Sequence, residues 1–171
     1  MDLREFKIQV FPLKNKLFRL AKQMLDDAED AQDIVQDAFI RLWNIREKLD
    51  QYRSVEALAV VTTRNLCLDK LKSKKYMTGR VENLKDEVEE TLSDRKQDLS
   101  DVVQKIKEII RTLPEQQQTI IQLRDIEGYE IEEIAKILDM NENAIRVNLS
   151  RARKKIREIL LKNKLYEFQR N

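Results

Sequence analysis

With 171 residues, 37% of them charged, and only two glycines and two prolines, the chain is predicted to be almost wholly helical and short of hairpin turns. The net charge of +2 hides local basic stretches at 64–80 and 146–164, with an acidic run between them. With no histidine and one cysteine, imidazole acid–base chemistry, the usual zinc sites and an intramolecular disulfide framework are excluded.

The opening stretch MDLREFKIQV lacks a basic-then-apolar signal, and no apolar run approaches membrane-spanning length, so a cytoplasmic protein is expected. Phe6, Val10, Leu13, Leu17, Leu20 and Met24 form one helical stripe, with Pro12 marking a kink or a late start. Asp26 or Asp27 can cap the next helix, whose first turn carries Glu29 and Asp30 where the helix dipole favours anions. That helix turns Ala31, Ile34, Val35, Ala38, Phe39, Leu42 and Trp43 inward and shows Asp33, Gln36, Asp37 and Arg41 on its other side. A third helix, about 55–72, is expected to bury Leu58, Val61, Leu66 and Leu68 or Leu71. It ends in Lys70, Lys72, Lys74 and Lys75, beside Tyr76. Cys67 lies within its apolar pattern and reads as a buried structural thiol.

The stretch TGRVENLKDEVEETLSDRKQDLSD is rich in Asp and Glu and sparse in apolar residues. It is expected to be a flexible or partly helical linker, because it buries too little to offset the ordering of its backbone. The expected organisation is therefore a first domain at 1–76, an acidic linker at 77–101 and a second domain at 102–171.

The most informative stretch is LPEQQQTIIQLRDIEGYEIEEIAKILDMNENAIRVNLSRARKKIREIL. It reads as an apolar-periodic helix, a turn at Gly128 and Tyr129, a short helix at 131–138, a second turn, and a long basic helix. That order is the grammar of a helix-turn-helix DNA reader. Asn141 is a good N-cap for the last helix, with Met140 and Ile145 spaced as a hydrophobic staple. Ile145, Leu149, Ala152, Ile156 and Leu160 share its inward face. Asn143, Arg146, Ser150, Arg151, Arg153, Lys154, Lys155 and Arg157 occupy the others. Small polar side chains near the start suit base edges, and the cations that follow suit phosphates.

DAEDAQDIVQDAFIRLWN, TTRNLCLDKLKSKK and the long stretch just quoted resemble, in series and over nearly the whole chain, the extracytoplasmic-function (ECF) class of bacterial RNA polymerase sigma factors. The resemblance implies an all-α fold of two small helical domains joined by a polar linker, a sigma-two-like one and a sigma-four-like helix-turn-helix. It implies core RNA polymerase and promoter DNA as partners, an anti-sigma factor that is often membrane-anchored, and no cofactor, metal or catalysis. By position, Asp33, Gln36 and Asp37 match the surface that grips the clamp helices of the polymerase's largest subunit. Arg64, Asn65, Asp69 and Lys70 fall in the stretch that meets the −10 element, with Lys72, Lys74 and Lys75 suited to its phosphates. Asn143, Arg146, Val147 and Ser150 are expected near base edges of the −35 element, and Arg151, Arg153 and Lys154 on its phosphates. The chain departs from the pattern twice. Leu58, Ala59 and Val60 stand where many relatives carry a Trp-Leu-Tyr-like run, and Asn148 stands where a basic residue is common.

Other classes are weighed against this reading. A conventional helix-turn-helix regulator would use the first block to sense or dimerise, but that block has its own basic patch. A purely helical adaptor would carry its basic faces incidentally. An enzyme is disfavoured by the lack of histidine, of a glycine-rich phosphate loop and of a nucleophile–base pair. The acidic linker is further expected to let the two domains of the free protein close on each other by shielding their basic patches.

Overall fold

The computed structural model describes residues 1–77 and 97–170, which are helical apart from short connections and contain no strand. They divide between two compact units. Of the expected linker, Met77 and residues 97–101 belong to helices, while 78–96 lie outside the described residues, as does the side chain of Tyr76. Helix therefore reaches into both ends of the segment read as a connector. At the second end, Val102, Val103, Ile106, Ile109 and Ile110 recur at helical spacing and carry the helix back from the core.

In the first unit, α1 (Leu3–Gln9) opens on a reciprocal cap. The Asp2 carboxylate accepts from the Glu5 amide, and the Glu5 carboxylate accepts from the Asp2 amide, both at 2.8 Å. The stripe expected to be one helix is broken where Pro12 falls. A 3-10 turn at Phe11–Leu13 separates α1 from α2 (Lys14–Leu25), since proline has no amide for an α-helical bond. Asp26 ends α2 in the left-handed region at φ 54°, and Asp27 caps α3 (Ala28–Asn44) by accepting from the Asp30 amide at 2.8 Å. After a 3-10 turn at Arg46–Gln51, α4 (Val55–Met77) packs against both α2 and α3. Ala21, Leu25, Ala31, Ile34, Ala38, Leu66 and Cys67 form the core between them.

The buried face of α4 differs from the expected one. Ala59, Val60, Thr63, Leu66 and Cys67 are buried, whereas Leu58, Val61, Leu68 and Leu71 are only half-buried. The reason lies between the leucines. Asn65 and Lys72 share the 58–61–68 face, so turning that face inward would bury an amide and an ammonium. Small residues at 59, 63 and 67 instead let α4 approach its neighbours closely. Phe6 meets Trp43 edge-on at 5.1 Å, Phe11 stacks on Phe39 at 5.5 Å, and the Arg46 guanidinium lies 4.5 Å from the Trp43 ring.

In the second unit, α5 (Gln97–Arg111) is followed by α6 (Glu115–Ile121), which continues into a π turn at Gln122–Ile126. Gly128, at φ +78°, then reverses the chain, a conformation that costs glycine little. The buried Tyr129 donates its amide to the Leu123 carbonyl. α7 (Ile131–Leu138) ends at Asp139 in the left-handed region, and Asn141 caps α8 (Glu142–Arg170) by accepting from the Ala144 amide at 2.7 Å. Ile110, Leu113, Ile120, Leu123, Ile134, Ile145, Leu149 and Ala152 are buried, and α8 packs on both α5 and α6. Ile156 and Leu160, expected inward, are half-buried.

Candidate nucleic-acid and protein interfaces

The exposed side of α8 is fixed by its buried one. With Ile145, Leu149 and Ala152 turned inward, Asn143, Arg146, Val147, Ser150, Arg151, Arg153 and Lys154 are all exposed. Asn143, Arg146, Val147, Ser150 and Lys154 recur at three- and four-residue spacing and make a single face. Arg146 donates to the Glu142 carboxylate one turn back at 2.8 Å. Arg153 stands apart, at the edge of this face. Its guanidinium donates to both oxygens of Asp125 at 3.0 and 2.5 Å, and that carboxylate raises its pKa further. Asn148 turns its amide onto the Ala144 carbonyl of its own helix, at 2.9 Å.

On α4 the expected site residues separate into two groups. Asn65, Asp69 and Lys72 are exposed at helical spacing, with Lys75 also exposed and Arg64 half-buried. Lys70 and Lys74 lie on the side facing α3, where both ammonium groups reach Asp30. Lys70 does so at 2.8 Å, and Lys74 bonds the other carboxylate oxygen. The Lys70 and Lys74 hydrogen bonds hold the Asp30 carboxyl below its ordinary 3.8, and Asp30 in turn raises Lys70 above 10.5. In sequence Asp30 is only a first-turn anion. Its grip on two lysines about forty positions away has no local signal. In the Leu58–Val60 run, Ala59 and Val60 are buried and Leu58 is half-buried, so these positions present no stacking surface.

On α3, Asp33, Gln36 and Asp37 are all exposed on one face. Ile40 extends that face and is 57% exposed, although its apolar side chain suggested no surface role. Its spacing from Gln36 and Asp37 was the available signal. The second unit also has a cleft of about 680 Å³ between α5 and the later half of α8, floored by Val102, Ile106, Ile110, Ile121, Ile156 and Leu160. Among the described residues, no three acidic or thiol side chains come together as a metal site, and no helix is long and apolar enough to cross a membrane.

Two family models match these units: "Sigma-70 region 2" over residues 12–77 and "Sigma-70, region 4" over residues 103–156. The chain is 30% identical to the RNA polymerase sigma factor SigV of Bacillus subtilis, over 89% of each chain. It is 26% identical to the ECF RNA polymerase sigma factor SigW of the same organism, over 86% of this chain and 84% of the relative. The fold matches the sigma factor RpoE of Bartonella quintana, solved with the anti-sigma factor NepR, at a TM-score of 0.72 and 21% identity. That match covers 92% of this chain and 98% of the other. CnrH, solved with the cytosolic domain of CnrY, matches at a TM-score of 0.68 and 21% identity, over 93% and 89% of the two chains. Two helical units bearing these two regions define a sigma-70-type transcription factor. The chain belongs to the RNA polymerase sigma factors, in their ECF class.

Proposed function

We propose that this chain binds core RNA polymerase in the cytoplasm and directs it to promoters, without catalysis of its own. The first domain (1–76) would dock on the polymerase clamp through Asp33, Gln36 and Asp37 of α3, and its α4 would meet the −10 element through Asn65, Asp69 and Lys72, with Arg64 and Lys75 beside them. The second domain (102–171) would lay α8 in the major groove of the −35 element.

The observation that carries this reading is the α8 surface: a capped helix, buried on one side, whose other side is a mainly polar and cationic face that includes Val147. Asn143, Arg146, Val147 and Ser150 are nearest the helix start, where a recognition helix meets base edges, and Arg151 and Lys154 follow at phosphate positions. Each good base contact contributes about 1–3 kcal/mol of discrimination, while phosphate contacts strengthen binding to all sequences alike. At the −10 element, unpairing a base costs a few kcal/mol, least in easily melted DNA, and cations along α4 stabilise the exposed strand. An anti-sigma factor is a further expected partner, since RpoE and CnrH were both solved in complex with a regulatory chain.

Mixing the purified chain with sigma-free core polymerase and promoter-bearing genomic fragments tests the proposal. Transcripts starting at discrete sites only when both components are present are the expected result. Tight binding to duplex DNA with no polymerase association would overturn it in favour of a conventional regulator.

A further inference from the structure

A three-membered cluster of charges in the first unit lies not on its exposed α4 face but behind it. Asp30 sits in the first turn of α3, where the Asp27 cap fixes its backbone. Its two carboxylate oxygens take one lysine each, Lys70 and Lys74, which are one turn apart on α4. The Asp30 side chain is only 21% exposed, and Asp27 and Asp33 add to the negative potential at Lys70. Asn65, Asp69 and Lys72 project from the other side of the same helix. Two of the cations in the −10 stretch are thus held on a carboxylate, away from the residues suited to reading bases.

We propose that Asp30 is a specificity-determining residue: by holding the Lys70 and Lys74 ammonium groups it withholds two cations from DNA phosphates, so that binding depends more on the base-reading face of α4. This rests on the proposed function above. Phosphate contacts strengthen binding to every sequence, and selection among sites depends on the ratio of specific to non-specific affinity. Free lysines on this helix would raise the non-specific part. The contact favours the charged forms of Asp30 and Lys70, so the restraint is present under the conditions in which DNA is bound. Ion pairs in partial contact with solvent contribute little individually, which makes Asp30 a reversible competitor of phosphate and not a permanent block.

The test is the salt dependence of binding by the full chain to a fluorescent oligo-dT strand, for wild type and Asp30→Asn. Each lysine released onto a single strand steepens the log–log slope by about 0.7. The variant's advantage over wild type should therefore grow about 5-fold or more over a tenfold drop in salt, about 5-fold being the effect of Lys70 alone. Adding Lys70→Gln and Lys74→Gln to Asp30→Asn should return the slope to that of wild type. Asp30→Ser, which also removes the carboxylate and suits a helix start, should reproduce the steepening if Asp30→Asn is poorly folded. A purely structural Asp30 would change the melting temperature but not the slope. An unchanged slope, including no binding by either protein, overturns the proposal, as does steepening that survives loss of both lysines. Transcription by the wild-type chain with core polymerase separately decides whether the underlying function stands.

Discussion

The Arg153 guanidinium on α8 and the Asp125 carboxylate in the π turn after α6 face each other in a two-bonded fork, 28 residues apart in sequence. Planar guanidinium and carboxylate groups match in this geometry, and lysine could not reproduce it. The pair fastens α8 to the turn after α6, so a residue resembling a phosphate ligand in sequence is already committed within the fold. Its neighbour Lys154 is exposed on the face of Arg146 and Ser150.

Arg153→Ala and Lys154→Ala should therefore behave differently. Arg153 and Asp125 are 48% and 36% exposed, which limits their contribution to about 1 kcal/mol or less. Arg153→Ala should lower the melting temperature of the second unit slightly and leave the salt slope of duplex binding nearly unchanged. Lys154→Ala should leave melting unchanged and flatten the slope by about 0.9. Calorimetry and binding titrations at several salt concentrations would check both, and a flattened slope for Arg153→Ala would return Arg153 to the phosphate contacts.

The Asp30–Lys70 pair predicts a stability plateau with two shoulders. The folded pKa of Asp30 lies below 3.8, so its contribution is present above that value and is lost as pH falls through the folded pKa. The folded pKa of Lys70 lies above 10.5, so its contribution is complete below 10.5 and is lost as pH rises through the folded pKa. Urea midpoints for wild type and Asp30→Asn should differ by a constant amount between these limits and converge outside them. Profiles that stay parallel below pH 3.8 would show that the Asp30 charge contributes nothing to stability.

What sequence made legible was mostly local. The Asn141 cap, the bounds of α7, five of the seven inward positions of α3 (Phe39 and Trp43 are half-buried) and the exposed face of α8 all follow from side-chain chemistry within a turn or two. What it missed depends on distant partners. Asp30 with Lys70 and Lys74, and Asp125 with Arg153, join residues 28 to 44 positions apart, and no periodicity reports such pairs. The inward face of α4 differs from the expected one for a related reason. The leucine spacing points to one face, but the face that is buried is the one whose burial leaves Asn65 and Lys72 in water.

Cys67 should be inert in the native protein. It is fully buried among Ala21, Ala31, Ala38 and Leu66, and burial pushes its thiol up from 9.0 to about 12. At pH 8 its thiolate fraction is then about a thousandfold below that of a free thiol, before any barrier to reagent entry. Reaction with a disulfide reagent should follow unfolding of the first unit as urea is raised. Rapid stoichiometric reaction in native buffer would mean that the α2–α4 core opens readily.

On α3, charge and apolar surface combine in a way that separates two kinds of contact. Asp33 and Asp37 are exposed on the face that the exposed Ile40 extends, so none of the three is needed for the core. Asp33→Arg with Asp37→Arg should leave the melting temperature nearly unchanged while weakening association with core polymerase by about a hundredfold or more, as charges of the wrong sign meet across the interface. Ile40→Ala should also spare the fold, and if Ile40 inserts into an apolar site on the polymerase it should weaken association by roughly 5- to 30-fold. Titrating labelled variants with core polymerase at two salt concentrations distinguishes the contributions, because the charged one weakens with salt and the apolar one does not. Unchanged affinity in the double-arginine variant would remove α3 from the polymerase interface. Unchanged affinity in Ile40→Ala alone would leave an interface made by the polar side chains.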